Sequence, residues 1–222
     1  MGFIENRIRS NKEMRKKNIF GKIVVMLLAS ALILSLAGCG KATADVEVAE
    51  SEPVEEVNHT KVEIKVKDQG TILVELYDEV APITVENFVK LVSDGFYDGL
   101  TFHRIINGFM MQGGDPTGTG MGGLDETIKG EFAANNVKNT LSHTRGAISM
   151  ARKGNDYNSA SCQFFIVHKD CPQLDGSYAV FGYVLEGMDV VDSVCENTPV
   201  QDRNGSVLPE DQPIIESIRI VE

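Results

Sequence analysis

Hydrophobic and polar residues alternate over residues 61–67, where Val and Ile occupy every second position and charged residues occupy the others. This period of two predicts a half-buried β-strand. A tight turn at residues 68–70 leads into a second strand over residues 71–77, so the two runs form a hairpin. Pro82 then begins a helix whose apolar residues recur at helical spacing, and Gly95 ends it.

Short β-rich runs fill much of the remaining sequence, and a second, short helix is predicted over residues 188–194. The runs lie at 101–106, 109–112, 146–150, 162–168, 179–185 and 214–221. Many short strands, glycine-rich turns and only two helices predict a mainly β fold, an antiparallel barrel or a sandwich rather than alternating β and α units. The pattern alone does not choose between barrel and sandwich.

The N-terminal segment has a different pattern. Residues 23–38 are uncharged and mostly apolar, basic residues precede them, and Cys39 follows. Sixteen residues fall short of the roughly 20 that a membrane-spanning helix needs, so the segment is predicted to be a secretory signal. Met14, directly before the basic run, is an alternative start of translation.

The sequence Leu-Ala-Gly-Cys at residues 36–39 resembles the bacterial lipoprotein signal motif. The resemblance implies that a signal peptide over residues 1–38 is removed and that the Cys39 thiol carries a lipid with palmitate-type acyl chains. Residues 39–58 hold six acidic residues, one Lys and no aromatic residue, which predicts a flexible tether. The folded domain is then expected over residues 59–222.

The net charge of −11 conceals two regions of opposite sign, +5 over residues 1–22 and −16 over the remaining 200. An acidic chain argues against nucleic-acid binding, which needs a basic surface. Cys162, Cys171 and Cys195 show no zinc-ligand spacing, so we expect free thiols, with a Cys162–Cys171 disulfide as the alternative.

Residues 102–115 read FHRIINGFMMQGGD, and they resemble the signature of the cyclophilin-type peptidyl-prolyl cis-trans isomerases. Further agreement follows in the same order along the chain: GAISMA at 146–151, SCQFFI at 161–166, LDG at 174–176, VFG at 180–182 and EGM at 186–188. The resemblance covers about residues 62–222. It implies a closed eight-stranded antiparallel β-barrel capped by two α-helices, with the active site in a groove on its outer surface.

The resemblance also implies a role for each site residue. Rotation about an X–Pro bond has a barrier of ~18–20 kcal/mol, and its catalysis needs no nucleophile, metal or cofactor. Arg104 would donate a hydrogen bond to the proline nitrogen as the bond twists, and Gln112 would hold Arg104 in place and contact the substrate. The other positions would bind the peptide. Phe109, Met110, Phe165 and Leu174 would form an apolar proline pocket, and the Tyr178 ring would form a wall of it. Gln163 and the backbone around Ala151 and Arg152 would hold the peptide.

Two positions depart from the family. Gln173 stands where many eukaryotic relatives have a Trp that helps bind cyclosporin, so weak cyclosporin inhibition is expected. Tyr178 stands where those relatives have a His, and its ring and hydroxyl can still line the pocket. Residues 118–123, GTGMGG, lack the Lys-Ser/Thr pair of a phosphate-binding loop, and the resemblance implies a loop beside the groove.

The leader and the motifs together predict a lipid-anchored foldase, a monomeric peptidyl-prolyl isomerase at the outer face of the bacterial cell membrane. Its expected partners are proline-containing unfolded or partly folded polypeptides. The alternative is a non-catalytic proline-peptide-binding module, an adhesin or a holdase, on the same scaffold. Intact Arg104 and Gln112 favour the enzyme, because a pure binder needs no donor aimed at a transition state.

Overall fold

The computed structural model of the protein describes residues 59–221. The predicted signal peptide at 1–38, the tether at 39–58 and the lipid acceptor Cys39 lie outside these residues, so all three stay predictions. Within residues 59–221, no helix is both long enough and apolar enough to cross a membrane.

Eight strands and two α-helices make up the regular structure of the described residues. The helices are α1 (Pro82–Ser93) and α2 (Met188–Asn197), and short 3-10 turns occur at Ala133–Asn135, Pro172–Leu174 and Pro209–Asp211. The strands are β1 (Lys61–Val66), β2 (Gly70–Leu76), β3 (Phe102–Ile106), β4 (Met110–Gly113), β5 (Ala147–Met150), β6 (Phe164–Val167), β7 (Val180–Glu186) and β8 (Ile215–Val221).

All eight strands belong to one antiparallel sheet, in the order β3-β4-β6-β5-β7-β2-β1-β8. The sheet curls until its edge strands meet at an isolated bridge between Thr101 and Ile214, where the Phe102 N–H donates to the Pro213 carbonyl oxygen at 2.9 Å. A single sheet excludes the sandwich. The mainly β fold of eight antiparallel strands and two helices is confirmed, and the expected barrel is a curled sheet that closes through one bridge instead of a full ladder.

Apolar side chains pack on both faces of part of this sheet. An inner cluster fills the interior of the curled sheet, and its largest side chains are Phe88, Tyr97, Phe102, Phe164 and Phe181. An outer cluster covers the other face of β4, β5, β6 and β7, and its buried members are Met110, Ala147, Phe165, Val167, Cys171 and Val180. Strands β5 and β6 are therefore buried along their whole length, whereas β1 keeps the predicted alternation of buried and exposed residues.

Helix α1 begins at Pro82, as predicted, but its N-terminus is capped from a distant part of the chain. The Glu131 carboxylate accepts hydrogen bonds from the N–H groups of Ile83 and Thr84 at 3.1 and 2.8 Å. A negative charge at a helix N-terminus is favourable, because the first N–H groups lack partners within the helix. The predicted stop is confirmed, since Ser93 ends the helix and Gly95 follows with φ +67°.

The three cysteines of the described part of the chain, Cys162, Cys171 and Cys195, are buried and free. The expectation of free thiols is therefore confirmed over the Cys162–Cys171 disulfide.

Candidate active site

Strand register places four polar or aromatic side chains in one row across the outer face of the sheet. Arg104 on β3 lies opposite Gln112 on β4, Gln112 lies opposite Phe165 on β6, and Phe165 lies opposite Ser149 on β5. Directly opposed residues of antiparallel strands present their side chains on the same face, about 5 Å apart. Four separate sequence segments therefore meet in a line.

Arg104 is held at one end of this row by three contacts. Its Nε donates to the Asn204 carbonyl oxygen at 2.8 Å, and its Nη1 lies 3.2 Å from Gln112 Oε1 and 3.8 Å from Met110 Sδ. Its Nη2 makes no hydrogen bond within residues 59–221, so this group remains available to donate to a ligand. Burial lowers the pKa of Arg104 from its ordinary value, although a guanidinium stays protonated in proteins.

Gln112 is in turn oriented by a chain of amide hydrogen bonds. Its Nε2 donates to Gln163 Oε1 at 2.8 Å, and Gln163 Nε2 donates to the carbonyl oxygens of Gly122 and Gly120 at 2.7 and 3.2 Å. With the Gln163 amide fixed by two backbone carbonyls, Gln112 presents its oxygen to Arg104. The geometry thus connects the arginine to the glycine-rich loop at residues 118–123.

Asp115 organises that glycine-rich loop from within. Its buried carboxylate accepts hydrogen bonds from the N–H groups of Thr117, Thr119 and Gly122 at 2.7, 3.2 and 3.1 Å. Burial raises the pKa of Asp115, but these hydrogen bonds outweigh it, and the net pKa lies below its ordinary value. A Cβ at Gly122 would collide with the Asp115 carboxylate, so glycine is required there.

A cavity of about 160 Å³ opens beside Arg104 and is lined by both apolar and polar side chains. Met110 and Phe165 rise from the sheet to form its base, and the turns around it contribute the remaining walls. Nine residues line it: Arg104, Phe109, Met110, Gln112, Ala151, Arg152, Phe165, Leu174 and Tyr178. A small apolar ring can contact the apolar side chains of this lining, while Arg104, Gln112 and Arg152 offer polar groups to a backbone on either side.

The turn that carries Phe109 is fixed by His168. The Gly108 N–H donates to His168 Nδ1 at 2.9 Å, and the His168 N–H donates to the Phe109 carbonyl oxygen at 2.9 Å. Because Nδ1 accepts, the ring proton lies on Nε2, which is 3.1 Å from Asp192 Oδ1. His168 therefore links the cavity wall to helix α2.

His143, Asp175 and Ser149 form a hydrogen-bonded arrangement beside Phe165, in which His143 and Ser149 are buried and Asp175 is exposed. His143 Nδ1 lies 2.8 Å from Asp175 Oδ1, and Nε2 lies 3.1 Å from Ser149 Oγ. The His143 ring stacks on Phe165 with centroids 5.9 Å apart and planes 11° apart, and it meets Tyr178 edge-on. Ser149 is fully buried, so it cannot attack a substrate, and the arrangement positions aromatic walls instead. Burial lowers the pKa of His143, and the Asp175 hydrogen bond only partly opposes this.

The opposite rim of the cavity is formed by the Arg152 side chain. Its guanidinium carbon lies 4.5 Å from the centroid of Tyr178, 4.9 Å from that of Tyr157 and 5.2 Å from that of Phe132. Nε and Nη2 donate to the Ser177 carbonyl oxygen at 3.0 and 2.8 Å. These contacts hold the Arg152 side chain in a fixed position. The sequence predicted a peptide contact only for the backbone at this position, not for the side chain.

Nine of the ten groove residues named from the sequence line the cavity, and the tenth, Gln163, lies behind Gln112 and holds it. Sequence reasoning missed the supporting residues: Glu131, Ser149, Asp175, His143, His168, Asn204 and Asp115. The Asp of the QGGD motif was visible in the sequence, but nothing local signals partners that are dozens of residues away.

One group of three side chains in residues 59–221 could hold a metal ion. Ligand atoms of His59, Asp78 and Glu79 lie within 4.8 Å of one another. None of the three lines the cavity.

Comparison with known proteins gives a consistent picture. The model of the family described as cyclophilin type peptidyl-prolyl cis-trans isomerase/CLD matches residues 61–221. Peptidyl-prolyl cis-trans isomerase B of Bacillus subtilis is 46% identical over 144 residues, which cover 65% of this chain and 91% of that protein. Peptidyl-prolyl cis-trans isomerase-like 2 of Rhizopus delemar is 44% identical, but the match covers 63% of this chain and only 25% of that protein.

The fold is also similar to a solved structure of a cyclophilin type peptidyl-prolyl cis-trans isomerase from Cryptosporidium parvum. The TM-score is 0.66 at 35% identity, and the match covers 74% of this chain and 99% of that one. A second structure of the same protein, in the presence of the dipeptide Ala-Pro, gives a TM-score of 0.65 at 34% identity, over 73% of this chain and 99% of that one.

Proposed function

The chain belongs to the cyclophilin-type peptidyl-prolyl cis-trans isomerase family and is an enzyme of that type, and we propose that it acts as a lipid-anchored foldase on exported polypeptides. Its substrates would be X–Pro bonds in unfolded or partly folded chains outside the cytoplasm. Uncatalysed isomerisation of such bonds takes tens to hundreds of seconds, which is slow enough to limit folding.

The observation that carries the catalytic part of this proposal is the free Nη2 donor of Arg104 beside a cavity that also has apolar walls. As the X–Pro bond twists, the proline nitrogen loses amide resonance and becomes a hydrogen-bond acceptor. A fixed donor at that point stabilises the twisted state more than either planar isomer, which is what lowers the barrier. The Ala-Pro dipeptide present with the related structure supports a proline residue as the occupant of the cavity.

Anchoring at the outer face of the bacterial cell membrane is supported by the sequence of residues 1–58. The basic leader, the short apolar segment and Cys39 agree with a lipoprotein signal, and the acidic segment after it suits a tether. For about 20 residues of flexible chain, the root-mean-square reach is roughly 25 Å. A tethered isomerase would encounter exported chains before they fold, while their X–Pro bonds can still change isomer.

Turnover is tested with the full-length protein in detergent, by following cis-to-trans conversion of a short Ala-Pro peptide. We expect wild type to accelerate conversion and Arg104→Ala to lose roughly 100-fold in kcat/KM, as when one transition-state donor is removed elsewhere. Arg219→Ala removes a guanidinium on β8 that pairs with Asp98, and it should keep full activity. A wild type no faster than solvent would leave the non-catalytic binding module as the better description.

Anchoring has its own experiment. Cys39→Ser should release the protein from the membrane fraction or leave its leader uncut, while the catalytic constants of the purified protein stay unchanged. A Cys39→Ser variant that remains in the membrane fraction with its leader removed would contradict the lipid anchor without touching the enzymatic assignment.

A further inference from the structure

Four of the arginines in residues 59–221 form two contrasting pairs. Arg145 and Arg219 each make two hydrogen bonds to one carboxylate, that of Asp192 at 2.7 and 2.8 Å and that of Asp98 at 2.8 and 2.6 Å. Their charges are compensated by the partner. An arginine in such a bidentate pair therefore attracts a further negatively charged ligand only weakly.

Arg104 and Arg152 are held in a different way. Both donate to backbone carbonyl oxygens, and Arg152 also lies against three aromatic rings. Neither pairs with a carboxylate within residues 59–221. Carbonyl dipoles and ring faces orient a guanidinium without cancelling its formal charge, so both residues keep a full positive charge at the groove.

The lining of the cavity contains both of these arginines and no acidic residue. This contrasts with residues 59–221 as a whole, which carry 13 Lys and Arg against 23 Asp and Glu. Two acidic residues stand close to this lining without forming part of it. Asp175, next to Leu174 in sequence, bonds to His143, and Asp202, which attracts the Arg104 guanidinium electrostatically, accepts the N–H groups of Asn204 and Ser206 at 2.9 and 3.2 Å. The residues that line the cavity therefore carry two positive charges and no negative charge, on an acidic protein.

Arg152 also retains a donor. A guanidinium has five N–H groups, and four of those on Arg152 are used: two toward Ser177, one toward Lys153 and one toward Gly154. One N–H on Nη2 has no acceptor among residues 59–221. A substrate carboxylate oxygen could accept from this one N–H, and a hydrogen bond between two charged groups is stronger than one between neutral groups.

From these observations we propose that the groove selects substrates with an acidic residue beside the proline, and that Arg152 determines this specificity. The proposal rests on the proposed isomerase function and names its substrate class. Lys or Arg at the same peptide position would be disfavoured, since Arg104 and Arg152 would both repel it.

The experiment compares peptides that differ only in the residues flanking proline, with Glu, Ala or Lys placed before or after it, using the full-length protein in detergent. At low ionic strength we expect kcat/KM for Glu to exceed that for Lys by roughly 10-fold at one of these positions. The ratio should shrink in about 0.5 M NaCl, because that salt screens charges beyond a few ångströms. Equal rates for Glu and Lys at every position would overturn the proposal.

Two variants separate the charge of Arg152 from its packing. Arg152→Gln should bring the Glu-to-Lys ratio close to one, whereas Arg152→Lys, which keeps the charge, should retain most of it. Lys67→Gln, an exposed residue on the β1–β2 turn, makes the same change in net charge and should leave the ratio as in wild type. Because each ratio is measured within one variant, a change in folded fraction or basal rate cancels.

The outcomes remain distinguishable from failure of the proposed function. If wild type does not turn over the Ala-Pro peptide, the isomerase assignment fails first. If it turns over Ala-Pro but Arg152→Gln keeps the wild-type ratio, or Arg152→Lys loses as much as Arg152→Gln, only the proposal about Arg152 is overturned.

Discussion

The two faces of strands β4 and β6 contribute to different properties of the protein, although successive residues along each strand alternate between the two faces. Met111 and Phe164 point into the inner cluster, whereas Met110 and Phe165 belong to the outer cluster under the cavity. Successive side chains of a strand point to opposite faces, so a single step along the chain moves from the barrel interior to the active site. The inner face determines whether the sheet holds together, and the outer face determines what it binds.

The largest expected effect comes from the inner face. Phe164→Ala should lower the free energy of unfolding by about 3–5 kcal/mol, because a fully buried aromatic ring is lost and a cavity remains. Urea unfolding followed by circular dichroism measures this loss. The molecules that stay folded should keep kcat close to wild type, and a loss under about 1 kcal/mol would contradict the distinction between the faces.

Phe165→Leu tests the outer face with a milder change. Leu keeps an apolar side chain, so the free energy of unfolding should fall by less than about 1.5 kcal/mol. The flat surface that stacks on His143 is lost, and kcat/KM for an Ala-Pro peptide should drop by roughly 10-fold, worth about 1.4 kcal/mol. Stability and activity measured on the same preparation should thus rank Phe164 and Phe165 in opposite orders.

The variant Gln163→Ala tests whether activity at the outer face depends on a residue that only positions others, in addition to the residues that line the cavity. Gln112 would lose the acceptor that fixes its amide, and Arg104 would lose an oriented partner. We expect kcat to fall about 5-fold with little change in KM, since the affected contact matters most in the twisted state. Gln201→Ala, whose exposed side chain makes no hydrogen bond within residues 59–221, provides the matched control and should leave both constants unchanged.

The smallest expected effect concerns two buried histidines with unequal surroundings. Burial lowers the pKa of both His103 and His143 from the model-peptide value of about 6.5. Within residues 59–221, His143 is bonded at both ring nitrogens and His103 at neither. A lowered pKa means that the unfolded chain takes up protons first as the pH falls. The free energy of unfolding should therefore be highest above about pH 6.5 and decrease below it.

The variant His103→Leu separates the contribution of His103 to this pH dependence from that of His143. The change removes a buried ring without partners, so the free energy of unfolding should rise by about 1 kcal/mol at about pH 7 and its decrease toward about pH 5 should become shallower. Unfolding curves recorded across this pH range give both quantities. A loss of stability at neutral pH would show that the His103 ring has a bonding role in the folded chain.

The sequence could predict this fold wherever one face of a strand stays polar, as in β1. It was less informative for β5 and β6, because the outer cluster buries their second face and removes the alternation. Motif resemblance located the groove residues. It could not locate Phe132 and Tyr157 against Arg152, or Asp175 against His143, because those contacts exist only once distant segments have folded together.

The buried, free cysteines have a practical consequence. Burial raises the pKa of Cys162, that of Cys171 to about 11 and that of Cys195 to about 12, while the thiolate is the form that reacts with disulfides. In the folded domain these thiols are both inaccessible and protonated, so a thiol reagent can label them only when the surrounding structure opens. The rate of labelling at each cysteine therefore reports local unfolding at three points of the domain, without any cysteine having to be introduced.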